Sequence, residues 1–170
     1  MLPPYPSILT LYQSPHTPDC TVIAQMMHEL TVPGATYEIA HRRLGLLPQD
    51  LLGIYHIYTG MPPETWAIRF RLIKALMLLV QAKRAAPFPS VFYDDSDTHC
   101  RHRSLNRLAT YCGWTALSTM GYAFRAVLHL TVFAAFAMSA DELYKTAVHA
   151  DTLWQNEALA QAEIREVSHG

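Results

Sequence analysis

The chain has 170 residues, of which 51% are hydrophobic and only 16% charged, with a net charge of -1. That length suits one domain with a real core, and the near-neutral charge excludes a general nucleic-acid binder. A typical soluble domain carries roughly 25% charged residues, so a partner surface or a lipid phase is expected over part of this one.

The charge is unevenly placed. No Lys or Arg precedes Arg42, whereas Arg42 to Arg107 holds ten basic residues against five acidic ones. Such a surplus suits an acidic partner or anionic headgroups, or is simply a solvated face. Cys20, Cys100 and Cys112 form an odd set without a short repeated spacing, which fits a reducing compartment better than a secreted disulfide framework. The opening MLPPYPS has no basic residue and no apolar run, so no cleavable targeting segment is visible. An intracellular, reducing location follows, mitochondria included.

In chain order, Ile8 to Gln13 alternates apolar and polar residues and reads as a strand. Thr17, Pro18 and Asp19 then predict a helix start, as N-cap, first-turn proline and dipole-complementing acid, with the helix running to about Leu30. Thr36 to Ala40 reads as a second short strand, so strand, helix and strand would open a right-handed parallel unit. Leu44 to Ala86 looks helical, interrupted at GMPPETW, and its run ALMLLV predicts a helix buried on most sides. A third strand is expected over Ser90 to Tyr93, then a helix over Arg101 to Cys112 that stops at Gly113.

Leu108 to Ala140 spans 33 residues with Arg125 as its single formal charge. Its uncharged part, Ala126 to Ala140, is 15 residues long, short of the roughly 20 that cross a bilayer. Burial in the chain's own helical layer, burial against a partner subunit and membrane contact all remain open. The last segment opens with SADE (Ser139 to Glu142), a capping-box pattern. Leu143, Ala147, Ala150, Trp154 and Ala158 then recur at helical spacing, which predicts a helix with one apolar stripe.

The stretch LTLYQSPHTPDCTVIAQMMHELTVPGATYEI resembles the opening of glutaredoxins and of glutathione-transferase N-terminal domains, and FPSVFYDD resembles the later strand of that fold, which begins at a cis-proline. The resemblance implies an α/β, thioredoxin-like domain over residues 1-114 with a helical insertion at about 44-86. A C-terminal helical extension over 115-170 would follow. It places TPDC where the family has its redox tetrapeptide, with Thr17 at the position of the attacking cysteine and Cys20 at that of the resolving one. A hydroxyl without an adjacent base is a poor nucleophile, so dithiol exchange is not available to Thr17 and Cys20.

Pro89 would be the cis-proline and Phe88 the residue whose backbone meets a bound glutathione. Arg101 and His102 would stand where transferases hold the γ-glutamyl end with an acid and a serine. Peroxiredoxins share a T-x-x-C arrangement but place a proline four residues before the threonine, where this chain has Gln13. The cluster DTHCRH (Asp97 to His102) lacks the four spaced ligands of a structural zinc site, so no metal is expected.

These features together predict a non-catalytic, degenerate thioredoxin-like protein without a cofactor. It would act as a structural or accessory subunit of a larger, membrane-associated complex of mitochondrial type. Its partners would be other protein subunits, met through the apolar helices and the basic middle region, with membrane contact through 108-140 and no nucleic acid. The alternative is an enzyme: a glutathione-dependent transferase or single-thiol oxidoreductase using Cys20, with Ser14, Thr17, Phe88 and Pro89 around a glutathione cleft.

Overall fold

The run ALMLLV lies in the helix around which the chain packs. The computed structural model describes residues 5–14, 20–32, 34–85 and 98–170, with the side chains of 98–102 excepted. Helix α5 (Pro63–Arg84) is 22 residues long, about 33 Å at 1.5 Å per residue. It buries Trp66, Phe70, Leu72, Ile73, Leu76, Leu79 and Val80, which point to more than one side. The hydrophobic run demands this: in water no single helix face could shelter it.

Four helices precede α5: α1 (Ile8–Gln13), α2 (Thr21–Glu29), α3 (Tyr37–Arg43) and α4 (Pro48–Thr59). After it come α6 (Thr98–Tyr111), α7 (Leu117–Ala123), a π-helical turn (Phe124–Leu128), α8 (Val132–Ala137) and the 30-residue α9 (Ala140–His169). Helix α5 touches α1, α3, α4, α6 and α9, and its longest contact is with α9. These two run antiparallel, because Arg69 pairs with Glu157 near one end and Arg84 with Asp141 near the other. One apolar core runs from Ile8 to Ala158.

The expected α/β, thioredoxin-like fold does not form. Every regular element among the described residues is a helix, so there is no sheet there to carry a glutaredoxin or glutathione-transferase domain. The first expected strand, Ile8 to Gln13, is α1. Ser7 caps it by accepting from Thr10 N–H at 2.9 Å. Six residues are too few to be helical alone, and tertiary contacts hold them: Ile8, Leu9 and Leu11 are buried, and Leu9 N–H donates to the buried Asp151 carboxylate of α9 at 3.2 Å.

The second expected strand, Thr36 to Ala40, is the start of α3. Thr36 is its N-cap, Glu38 lies in its first turn and His41, Arg42 and Arg43 close it, so the helix dipole is matched at both ends. The third, Ser90 to Tyr93, lies outside the described residues.

Helix α9 begins with the capping box Ser139–Glu142, in which the serine hydroxyl accepts from Glu142 N–H and the glutamate accepts from Ser139 N–H. Leu143, Ala147, Ala150, Trp154 and Ala158 are all buried. Replacing Ser139 by alanine orphans one N–H of the first turn and is expected to cost about 1 kcal/mol, read from the urea midpoint at unchanged slope. An unchanged midpoint would show that the cap does not hold the helix end.

At least five of the ten cations of the middle region are used inside the chain. Arg43 pairs with Glu29, Arg69 with Glu157 and Arg84 with Asp141. Arg69 and Arg84 also lie over the Trp154 and Tyr144 rings of α9, at 5.1 and 5.5 Å. Arg71 donates to the carbonyls of Leu30 and Ala35, and Lys83 to those of Phe136 and Met138. These last two cations bond carbonyls at the ends of α2 and α8 and in the loop before α3.

Candidate functional site

The residues expected to form a glutathione cleft are not brought together by any described contact. Ser14 is the exposed C-cap of α1, and its N–H closes that helix on Thr10 O. Cys20 is a buried free thiol at the N-cap position of α2 and makes no capping bond there. Thr17, Phe88 and Pro89 lie outside the described residues, as do the side chains of Arg101 and His102. Among the described residues there is no sheet to bring a cis-proline beside this cysteine.

Cys112 is the second described cysteine. Burial pushes its thiol up to about 12, against the pull of the nearby Lys74 and Arg71 cations. At pH 8 it is therefore protonated and enclosed, and only a thiolate attacks. Cys112 and Cys20 are both expected to resist a thiol reagent in the native chain and to label only on denaturation, as mapped by mass spectrometry. Rapid native labelling of Cys20 would show that its thiol is accessible.

Two clefts remain as sites. The first, about 520 Å³, opens between α6, α7 and α8 and is lined by Asn106, Leu117, Ser118, Arg125, Val132 and Phe133 among others. Its shape comes from a break in helical regularity. The chain leaves α7 through the π-helical turn Phe124–Leu128 and reverses at His129, whose φ of 53° is the one positive value at a non-glycine residue among the described residues. A left-handed non-glycine residue costs free energy, and such costs gather at functional positions. The turn brings Arg125 to the cleft, and α8 follows with Phe133 on its wall. Tyr122, just before the turn, is 71% exposed, and Phe133 42%.

The second cleft, about 640 Å³, lies between α3 and the starts of α4 and α5. Its polar groups are Tyr37, Glu38, His41, Arg42 and Glu64, and its walls are Leu46, Leu47, Pro48, Leu51, Leu52, Pro62 and Pro63. His41 is buried, and its Nδ1 lies 3.1 Å from Leu46 O. A proton on Nδ1 makes that a hydrogen bond and leaves Nε2 as an acceptor. Burial by itself would raise the Glu38 carboxyl. Hydrogen bonding from Thr36, from its own N–H and from Tyr37, with His41 nearby, outweighs this and holds it below its usual range.

No site residue of this second cleft was singled out by sequence reasoning, because Thr36 to Ala40 reads as a strand. The signal was nonetheless present. An N-cap threonine, an acid two residues on, the basic run HRR and Gly45 just beyond it, at φ 68°, make a helix start and stop in correct order. Of the DTHCRH segment, Asp97 and the side chains of 98–102 lie outside what is described, and among the described residues no group of three or more His, Cys, Asp or Glu could hold a metal. Among the described residues no helix is long and apolar enough to cross a membrane. The chain is thus, in its described part, an all-α protein, and both of these clefts lie on its surface. No protein-family model, curated protein or solved structure matches it.

Proposed function

We propose that this chain is a non-catalytic structural or accessory subunit of a larger assembly, and that it docks a protein partner against the cleft between α6, α7 and α8. The observation that carries the reading is this cleft's position in the most weakly charged part of the chain. Arg125 is the one formal charge between Leu108 and Ala140, and it lines the cleft beside Leu117, Val132 and Phe133. Exposed aromatic side chains with an arginine are the composition of energetic centres in protein interfaces.

The partner surface that fits offers large apolar side chains with a carboxylate opposite Arg125. The free thiols Cys20 and Cys112 favour a reducing compartment as the setting.

The test places a photo-crosslinking residue at Tyr122 of the full chain, expressed in its native cell, and a control at Leu159 on α9. One discrete adduct from position 122 is expected, its crosslinked peptide bearing an acidic residue. It should vanish when Arg125→Glu and Phe133→Asp are combined. An adduct that survives both substitutions, or none above the Leu159 control, overturns the reading.

A further inference from the structure

Helix α1 has six residues and is tied to the rest of the chain from outside its own backbone. A helix that short does not persist alone, so its conformation lasts only while its tertiary contacts do. Two polar ties come from one face of α9, from residues four apart. The Asp151 carboxylate accepts from Leu9 N–H at 3.2 Å, and the Gln155 side-chain amide donates to Tyr5 O at 2.8 Å. A third tie is steric: the Tyr5 ring lies so close over Gly60, between α4 and α5, that a Cβ there would come within 2.5 Å of it.

Ile8, Leu9 and Leu11 of α1 are buried, whereas Thr10 and Gln13 are exposed. The helix packs on both α5 and α9, so it lies across the junction of these two. That junction has ties of its own. Arg69 pairs with Glu157 and Arg84 with Asp141, the same two arginines lie over the Trp154 and Tyr144 rings, and both helices send many buried side chains into the core. None of the four ion-pair and ring contacts uses a residue of α1. Lifting α1 away therefore costs its own contacts and leaves the pairing of α5 with α9 in place.

Elements held in this way open locally, at less cost than the whole fold. We propose that α1 is a strap that opens as a unit of its own while α5 and α9 stay paired. Closed, it keeps Ile8, Leu9 and Leu11, and the α5 and α9 surface beneath them, out of water. Open, it presents both. Anything that binds either face meets it only in the open fraction, so the apparent affinity is reduced by that fraction and the ties of α1 set the threshold. The strap lies on other elements than the cleft between α6, α7 and α8, and it does not depend on the docking assigned there.

Hydrogen exchange of the ¹⁵N-labelled full chain, followed over a series of low urea concentrations, tests this. The amides of Leu9, Leu11 and Ser14 report on the strap through their bonds to Asp151, Ser7 O and Thr10 O, and those of Ile73 and Leu76 on the fully buried middle of α5. The strap amides are expected to be at least about tenfold less protected than those of α5. They should also share one weaker urea dependence, because a local opening exposes less surface than global unfolding. Asp151→Ala removes the acceptor of Leu9 N–H. It should lower the protection of Leu11 and Ser14, whose own bonds it leaves untouched, by about tenfold, with Ile73 and Leu76 unchanged. Strap amides that match α5 in protection and urea dependence overturn the proposal, because α1 would then leave only with the whole fold. Protection that differs residue by residue along α1 without a common urea dependence, or an effect of Asp151→Ala confined to Leu9 or spread equally over α5, also overturns it. The comparison within the wild-type chain stands even where the variant fails to fold.

Discussion

Gly113→Ala is expected to lower the unfolding free energy by about 3 kcal/mol or more. Gly113 follows α6 at φ 95°, where an L side chain is strained by roughly 1–2 kcal/mol. Its surroundings then remove any room for relaxation: an added Cβ would press on the carbonyl oxygen of Leu30 and come within 3.1 Å of the Arg71 guanidinium. Those two groups are themselves bonded, since Arg71 Nε donates to Leu30 O at 3.0 Å. Gly113 O also accepts from Gly34 N–H at 3.2 Å. One methyl thus disturbs the end of α2, the loop before α3 and the central cation of α5 together. Urea unfolding followed by circular dichroism checks this, and a loss under about 1 kcal/mol, the scale of an ordinary glycine effect, would mean that the three segments do not meet as described.

Trp66→Ala is expected to cost about 3–5 kcal/mol, the range for removing a large buried aromatic. Trp66 is 1% exposed, in the second turn of α5. Its ring stacks on Phe70 at 5.2 Å and meets the edge of Tyr55 at 5.4 Å, so α4 and α5 are joined through it. Tyr55 is fully buried, its hydroxyl has no hydrogen-bond partner among the described residues, and burial raises its pKa. The void left by alanine would adjoin the ring of a tyrosine whose buried, unpartnered hydroxyl already costs free energy. Circular dichroism gives the midpoint independently of tryptophan emission. Trp66→Phe should recover most of the loss, because a ring still fills the space. A Trp66→Ala chain as stable as wild type would separate this residue from the core.

Much of the helical layout was legible locally. ALMLLV required a helix covered on several sides, SADE announced the start of α9, and Gly113 marked the stop after α6, because caps, dipoles and the 3.6-residue period act within a few residues. The two short segments Ile8 to Gln13 and Thr36 to Ala40 were not legible in this way. Over five or six residues, alternation and a helical face place the same leucines inward, so period alone cannot separate them. The resemblance to a glutaredoxin opening rested on both segments.

The sequence by itself determined the helix around ALMLLV, covered on several sides, and the single inward stripe of α9. Tertiary structure decided the rest. Asp151 accepts from the Leu9 amide, 142 positions away, and helps to make Ile8 to Gln13 a helix. The packing of α3 beside α4 and α5 places Glu38 and Glu64 in one cleft. The physical reason is range: caps and dipoles act over one turn, whereas a helix too short to nucleate alone takes its conformation from whatever buries its apolar side and pairs its backbone.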